Sequence, residues 1–476
     1  MTTHTRPPQL RAAAQTPPAL GALGLFTVLL GAALPLIDFF IVNVALPTIG
    51  RDLHASEPVL ELVVAGYGIT YAVLLVLCGR LGDLLGRRRL FVLGTAAFGL
   101  TSLACGLAPT AWALVAARIA QGAASALMLP QVLATIQATT SGPHRARAMS
   151  KYGATAGLSM VAGQVLGGLL VSADLLGTGW RSVFLVNVPV VLLALVLAAR
   201  TVPETRSERP EPVDVPGTVL LALALISLLA PLTEGRAAGW PLWTWLCLAA
   251  FPFLAYAFYA VERAADRAGR TPLVPPPLFQ LASLRRGLVM VVPFSAGFSG
   301  FMFVIAVALQ RGAGLGATEA GLTLAPAAGV FFVTSLAGPR LVARWGARVV
   351  TAGGLLQAAG VALIALAAWR AWPDLGILEM LPGAVLLGVG QALQLPILFR
   401  IILSEVPAAR AGVAGGVLTT TQQAALALGV ATLGSLFLSL APGLGMRAAL
   451  VLTLLVQLAA VALTTLLSVR LPRRIA

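Results

Sequence analysis

The chain has 476 residues, of which 58% are hydrophobic and only 10% charged, with a net charge of +15. So apolar a chain has too few polar side chains to coat a water-facing surface, which excludes a soluble domain and predicts an all-α polytopic membrane protein. The apolar runs are long rather than alternating in short segments, which excludes a membrane β-barrel. The surplus of positive charge falls in short loops, where it sets orientation and meets membrane lipids rather than nucleic acid.

Residues 1–19 are rich in Pro and Arg and lack the small-residue cleavage site of a signal peptide, so they predict a retained cytoplasmic tail. Apolar runs of spanning length follow near 20–46, 58–78, 90–108, 111–138, 150–172 and 182–200, then near 215–232 and 241–261. Six more fall near 286–309, 320–340, 349–370, 376–400, 411–438 and 447–470. The expectation is therefore 14 transmembrane helices: a six-helix bundle over 20–200, linkers and two inserted helices over 201–285, a second six-helix bundle over 286–470, and a cytoplasmic tail over 471–476. With this count, 25 of the 32 Lys and Arg residues fall on one side, 6 on the other, and Arg118 within a span. By the positive-inside rule the richer side, with both termini, is cytoplasmic.

In chain order, the first run contains Asp38, inside Leu36-Ile37-Asp38-Phe39-Phe40-Ile41-Val42-Asn43-Val44-Ala45-Leu46-Pro47. An ionisable group inside a span costs at least about 2.5 kcal/mol and marks a functional position, although a buried acid can also serve packing. Tyr67 and Tyr71 follow at helical spacing in the second run. The stretch Gly79 to Phe91 must be a tight membrane-surface turn, with Arg80, Arg87, Arg88 and Arg89 around the lone acid Asp83 and with Gly82 and Gly86 four apart. A loop that only set topology would need the arginines alone.

Arg118 shares one helix face with Gln121, Gly122 and Ser125. Because the first and fourth helices run in opposite directions, Asp38 and Arg118 both lie about 10 to 12 Å below the same surface, so they are expected to pair when the acid is ionised and part when it is protonated. A purely structural ion pair is the alternative. In the fifth run, Gly163, Gly167 and Gly168 flank Gln164 and allow close helix packing. The segment Pro339 to Arg348 repeats the pattern of Gly79 to Arg88, with Ala343 in place of Asp83, as two related halves predict. Phe294, Phe298 and Phe301 form a stripe suited to bulky apolar or cationic substrates, or to packing. Cys78, Cys105 and Cys247 read as fillers of apolar segments, and the histidines lie in the tail or loops, so no metal site is expected.

The pattern Gly79, Leu81, Asp83, Gly86, Arg87, Arg88 resembles the cytoplasmic signature between helices two and three of the major facilitator superfamily. That resemblance implies that Gly79, Asp83, Gly86, Arg87 and Arg88 act as a conformational latch between two halves. Asp38 followed by Ile41-Val42-Asn43-Val44-Ala45-Leu46-Pro47 resembles the first-helix signature of the fourteen-helix drug:proton antiporters, with Phe40 where that family has threonine. Arg118 to Ser125 resembles its helix-four motif, and Gly157 to Gly168 its antiporter motif, departing at Ser159 and Gln164. The resemblance implies a monomeric proton-coupled antiporter that exports amphipathic organic compounds across a bacterial inner (plasma) membrane, as in multidrug or antibiotic efflux. Asp38 and Arg118 would be its proton-coupling residues, with Phe39, Tyr67, Tyr71, Gln121, Ser125 and the phenylalanine stripe at the substrate. No cofactor is expected beyond the proton gradient, since the Gly-Lys-Ser/Thr ending of a nucleotide-binding loop is missing, and no enzyme activity is expected. The alternatives are a dedicated exporter of one metabolite or lipid, and a transporter-like receptor or assembly factor.

Overall fold

The computed structural model describes residues 20–174, 177–206, 214–235, 238–407 and 410–469, so the tails expected at 1–19 and 471–476 lie outside the described residues. The first elements are α1 (Ala22–Asp52), α2 (Glu57–Leu85), α3 (Arg87–Gly106), α4 (Ala111–Thr139), α5 (Gly142–Ala173), the short α6 (Ser182–Leu185) and α7 (Asn187–Thr201). Then come α8 (Val215–Glu234) and α9 (Leu242–Arg267), followed by α10 (Ala282–Val307), α11 (Ala317–Trp345), α12 (Arg348–Ala371), α13 (Ile377–Leu403), α14 (Ala411–Gly429) and α15 (Ser435–Ser468). Their starts are capped as helix ends require: Thr110 Oγ1 accepts from Ala113 N at 3.2 Å, and Glu319 and Glu379 accept from the N-terminal amides of Gly316 and Gly376 at 3.0 and 2.9 Å.

Among the described residues, twelve stretches are long and apolar enough to cross a membrane. Two places account for the difference from the fourteen expected. α5, with several side chains outside the described residues, is not among the twelve, and Val413–Ser468 counts once as a stretch of 56 residues. Within that stretch Gly445 leaves helical geometry at φ +79°, three residues after Pro442.

The packing repeats in sequence order. In the first part α1 packs on α5, α2 on α4, and α3 on α4 and α7; in the last part α10 packs on α14, α11 on α13, and α12 on α13 and α15. The two parts meet where α2 touches α14 and α5 touches α11, and α8 pairs with α9 and also touches α2 and α14. The repeat extends to the loops, since Gly86 ends α2 at φ +105° and Gly346 ends α11 at φ +60°, a region that favours glycine. Gly86 N–H still bonds back to Gly82 O at 3.0 Å, so the turn before α3 is a single residue.

Lipid offers no hydrophobic drive for helices to associate, so close packing must hold them together. At Gly163 a Cβ would stand 2.8 Å from Ile37 O, and at Gly167 3.0 Å from Ile41 O, so α5 lies backbone to backbone against α1. By contrast α9 is almost bare, with Phe253 76% and Tyr256 73% exposed, as suits a helix facing acyl chains on most sides. At the end of α1 remote from the arginine turn, Asp52 accepts from the Trp180 indole N–H at 2.8 Å and from Arg181 at 2.7 Å. These two bonds hold its carboxyl below the usual carboxylate range.

Candidate coupling site

Asp38 and Arg118 are both fully buried and form an ion pair between the middle of α1 and the first third of α4. Arg118 Nη1 donates to Asp38 Oδ2 and, at 2.8 Å, to Gln121 Oε1, while its Nε donates to Val63 O of α2 at 3.0 Å. The guanidinium lies 4.2 Å from the centre of the Tyr67 ring, a cation–π contact in a water-free setting. Asp38 Oδ1 accepts from Gln121 Nε2 and Asn187 Nδ2, each at 3.0 Å. Asn187 also donates to Ser102 Oγ at 3.0 Å, and that hydroxyl donates to Phe184 O at 2.9 Å. The carboxylate thus has three donors, and the network ties together α1, α2, α3, α4 and α7.

This is costly chemistry with a clear signature. A buried charge pair is held by Coulomb attraction only where the leftover lone pairs and protons are also bonded, and removing one partner strands the other. The Arg118 Nη2 group makes no hydrogen bond among the described residues, so the cation keeps a spare donor. Protonating Asp38 would remove the negative charge that holds Arg118 and turn one carboxylate oxygen from acceptor to donor, loosening three helices together.

The other expected residues divide. Tyr67 and Ser125 join the site: the Tyr67 hydroxyl lies 2.9 Å from Ser125 Oγ and 3.1 Å from Pro35 O, and Ser125 Oγ donates to Gln121 O at 2.9 Å. Tyr71 stacks on Tyr67 with ring centres 6.2 Å apart, and the Phe39 ring, tilted, also lies 6.2 Å from that of Tyr67. The phenylalanine stripe of α10 is apart from this group. Phe301 is packed into the core of the last part with Ile305, Leu433 and Phe437, Phe294 is buried, and Phe298 is half-buried.

In the turn, Asp83 pairs with Arg87 of its own motif at 2.7 Å. Arg88 donates to Ala199 O at 2.5 Å, Arg87 N to Thr205 O at 3.0 Å, and Arg80 to Pro272 O at 2.6 Å. The motif therefore grips the segments after α7 and after α9. Gly79 is half-buried at the seat of the turn, and a Cβ on Gly82 would displace the Gln131 side chain of α4. Gly168 is buried beside Gly167, whereas the Gln164 side chain lies outside the described residues.

Sequence reasoning missed Asn187 and Ser102, whose only signal was a polar residue in an apolar run. It also took Cys105 for a filler, whereas Cys105 Sγ donates to Gln121 Oε1 at 3.5 Å. In the last part of the chain it missed a buried glutamine pair, Gln394 Nε2 donating to Gln357 Oε1 at 2.6 Å.

A helical membrane fold with an ion pair sealed in one half is the build of a transporter rather than an enzyme. Residues 28–430 match the sequence model of the Major Facilitator Superfamily, and the chain belongs to that superfamily. It is 37% identical over 431 residues, 90% of this chain and 74% of the other, to the probable actinorhodin transporter of Streptomyces coelicolor (strain ATCC BAA-471 / A3(2) / M145). It is 35% identical over 431 residues, 89% of this chain and 78% of the other, to the tetracenomycin C resistance and export protein of Streptomyces glaucescens. The multidrug resistance protein Stp of Mycobacterium tuberculosis (strain CDC 1551 / Oshkosh) is 33% identical over 423 residues, covering 87% and 74% of the two chains. Among solved structures, the human organic anion transporter MFSD10 (TETRAN) superposes with a TM-score of 0.67 at 17% identity, over 93% of this chain and 98% of that one, a likeness of fold.

Proposed function

We propose that this chain is a proton-coupled antiporter that exports amphipathic organic compounds by alternating access. In this reading it crosses a bacterial plasma membrane fourteen times, as two six-helix bundles (20–200 and 286–470) with α8 and α9 between them, both termini cytoplasmic and one chain sufficing. The two crossings beyond the twelve are α5 and the second arm of Val413–Ser468, which at about 1.5 Å per residue is about twice the length one bilayer needs. The observation that carries the function is Asp38, fully buried and bonded to Arg118, Gln121 and Asn187. The named relatives support export: they are an actinorhodin transporter, a tetracenomycin C exporter and a multidrug resistance protein.

The test is uphill efflux of a lipophilic cation from proteoliposomes with an imposed pH gradient. Asp38→Asn is expected to abolish gradient-driven efflux while leaving binding and gradient-independent exchange measurable. Uphill efflux at the wild-type rate in that variant would make the carboxylate structural. A second reading, a dedicated exporter of one compound, is favoured by the single-product names of two relatives. Competition among chemically unrelated compounds for one transport signal separates the two readings.

A further inference from the structure

The inserted helices carry a second pair of acids, remote in sequence and joined at one end of the helix pair. Asp214 is the N-cap of α8, its Oδ1 accepting from Gly217 N at 3.0 Å. Glu262 lies near the C-terminal end of α9, is 1% exposed, and accepts from Val274 N at 2.6 Å through Oε2. The two remaining oxygens, Asp214 Oδ2 and Glu262 Oε1, accept no hydrogen bond from an N–H group among the described residues and converge on one point beside Gly217. Both crowd Gly217, where a Cβ would stand 2.5 Å from Asp214 Oδ2 and closer still to Glu262 Oε1.

Two carboxyl groups that share one buried site do not both ionise, because at low dielectric the second negative charge is repelled by the first. The positive charge that faces them comes from α2: Arg80, 6% exposed, which also donates to Pro272 O at 2.6 Å and Leu273 O at 3.1 Å. Arg80 and Glu262 therefore clasp the linker after α9 from two sides. That linker is sunk into the protein, with Leu273, Val274 and Leu278 in one core with Val76 of α2 and Val413 and Leu418 of α14. It is tied to α2 through Arg80 and packs on α9 and α10. With one proton on the acid pair, a single negative charge is set against the single positive charge of Arg80.

We propose that Glu262, beside Asp214, is a second proton-binding site at the arginine-rich end of the inserted helices, whose proton keeps the linker of residues 271–281 docked against α2 and α10. Loss of that proton to water on the same face leaves two carboxylates, one more negative charge than Arg80 offsets, so Glu262 is driven from Asp214 and carries the linker, bonded to it at Val274, out of its seat. None of these residues belongs to the Asp38 network, so this site stands or falls separately from the transport reading.

Limited trypsin digestion of the full chain tests it, because Arg270 is exposed and immediately precedes the docked stretch. Cleavage after Arg270, corrected for trypsin activity on a soluble peptide at each pH, is expected to rise several-fold in the wild type as pH increases. Glu262→Gln and Asp214→Asn supply an amide donor to the surviving carboxylate, so both are expected to stay protected with a flat pH profile. Asp38→Asn is expected to retain the wild-type profile. In the wild type alone, an infrared band of a protonated carboxyl should vanish over the pH range in which cleavage rises, which needs no variant to fold. Wild-type cleavage that ignores pH, a band that does not titrate with it, or amide variants that keep the wild-type profile would each overturn the proposal.

Discussion

Asn187 shows how the charged pair is kept in register: one side-chain amide bonds both Asp38 Oδ1 and Ser102 Oγ, so α7 and α3 report on the state of α1. A hydrogen bond to a charged group contributes about 1.5–3 kcal/mol, and stranding one member of a buried ion pair costs about 3–5 kcal/mol. Arg118→Ala in the wild-type background should therefore lower the thermal midpoint of the purified protein sharply. The same change in an Asp38→Asn background should lower it far less, because no uncompensated carboxylate remains. Equal losses in the two backgrounds would show that Arg118 acts through packing and not through its charge. Asp38 and Arg118 were legible in the sequence because a charge inside an apolar run stands out. Asn187 and Ser102 were not, since uncharged polar residues are common inside membrane helices and their partners are set by tertiary packing. Glu262 was hidden differently: it ends an apolar run and precedes Arg263, so it reads as a solvated helix end, yet the linker folds back over it.

Helices α1 and α5 touch through backbone because Gly163 and Gly167 omit the side chains that would separate them. Gly163→Val should push α5 from α1, lowering folded yield and thermal midpoint. Gly415→Ala on α14, where a Cβ would meet nothing within 4 Å, should leave both unchanged. A wild-type melt for Gly163→Val would show that the contact relaxes at no cost. The glycine pattern was legible because small residues at close spacing have one main structural use in a membrane. The span count was less so: the last two expected helices run together through Pro442 and Gly445 without a polar loop.

The two halves meet at their arginine-rich ends. Thr420 Oγ1 lies 3.4 Å from Ala72 O, Ser150 Oγ lies 3.4 Å from Ser335 O, and a Cβ on Gly416 would stand 3.8 Å from that of Val76. That last distance suits a disulfide. In a background without Cys78, Cys105 and Cys247, the pair Val76→Cys and Gly416→Cys should cross-link on oxidation, lose transport, and regain it on reduction. Transport that continues in the oxidised form would mean that α2 and α14 do not separate during the cycle. The relation between halves was visible in the sequence from the repeated turn at 79–88 and 339–348, whereas the seam was not, because it is made of small apolar residues indistinguishable from lipid-facing ones.

The complete burial of Asp38 bears on what the protein does when it has nothing to carry. A carboxyl open to water would let hydronium slip from one compartment to the other at every thermal fluctuation, and the cell would spend respiration for no export. Here the acid is walled in by Arg118, Gln121, Asn187 and the Tyr67 ring, so in the proposed cycle an idle molecule would pass no protons. In the proposed proton-coupled cycle, many copies could stand idle in one membrane without draining the gradient that would drive them.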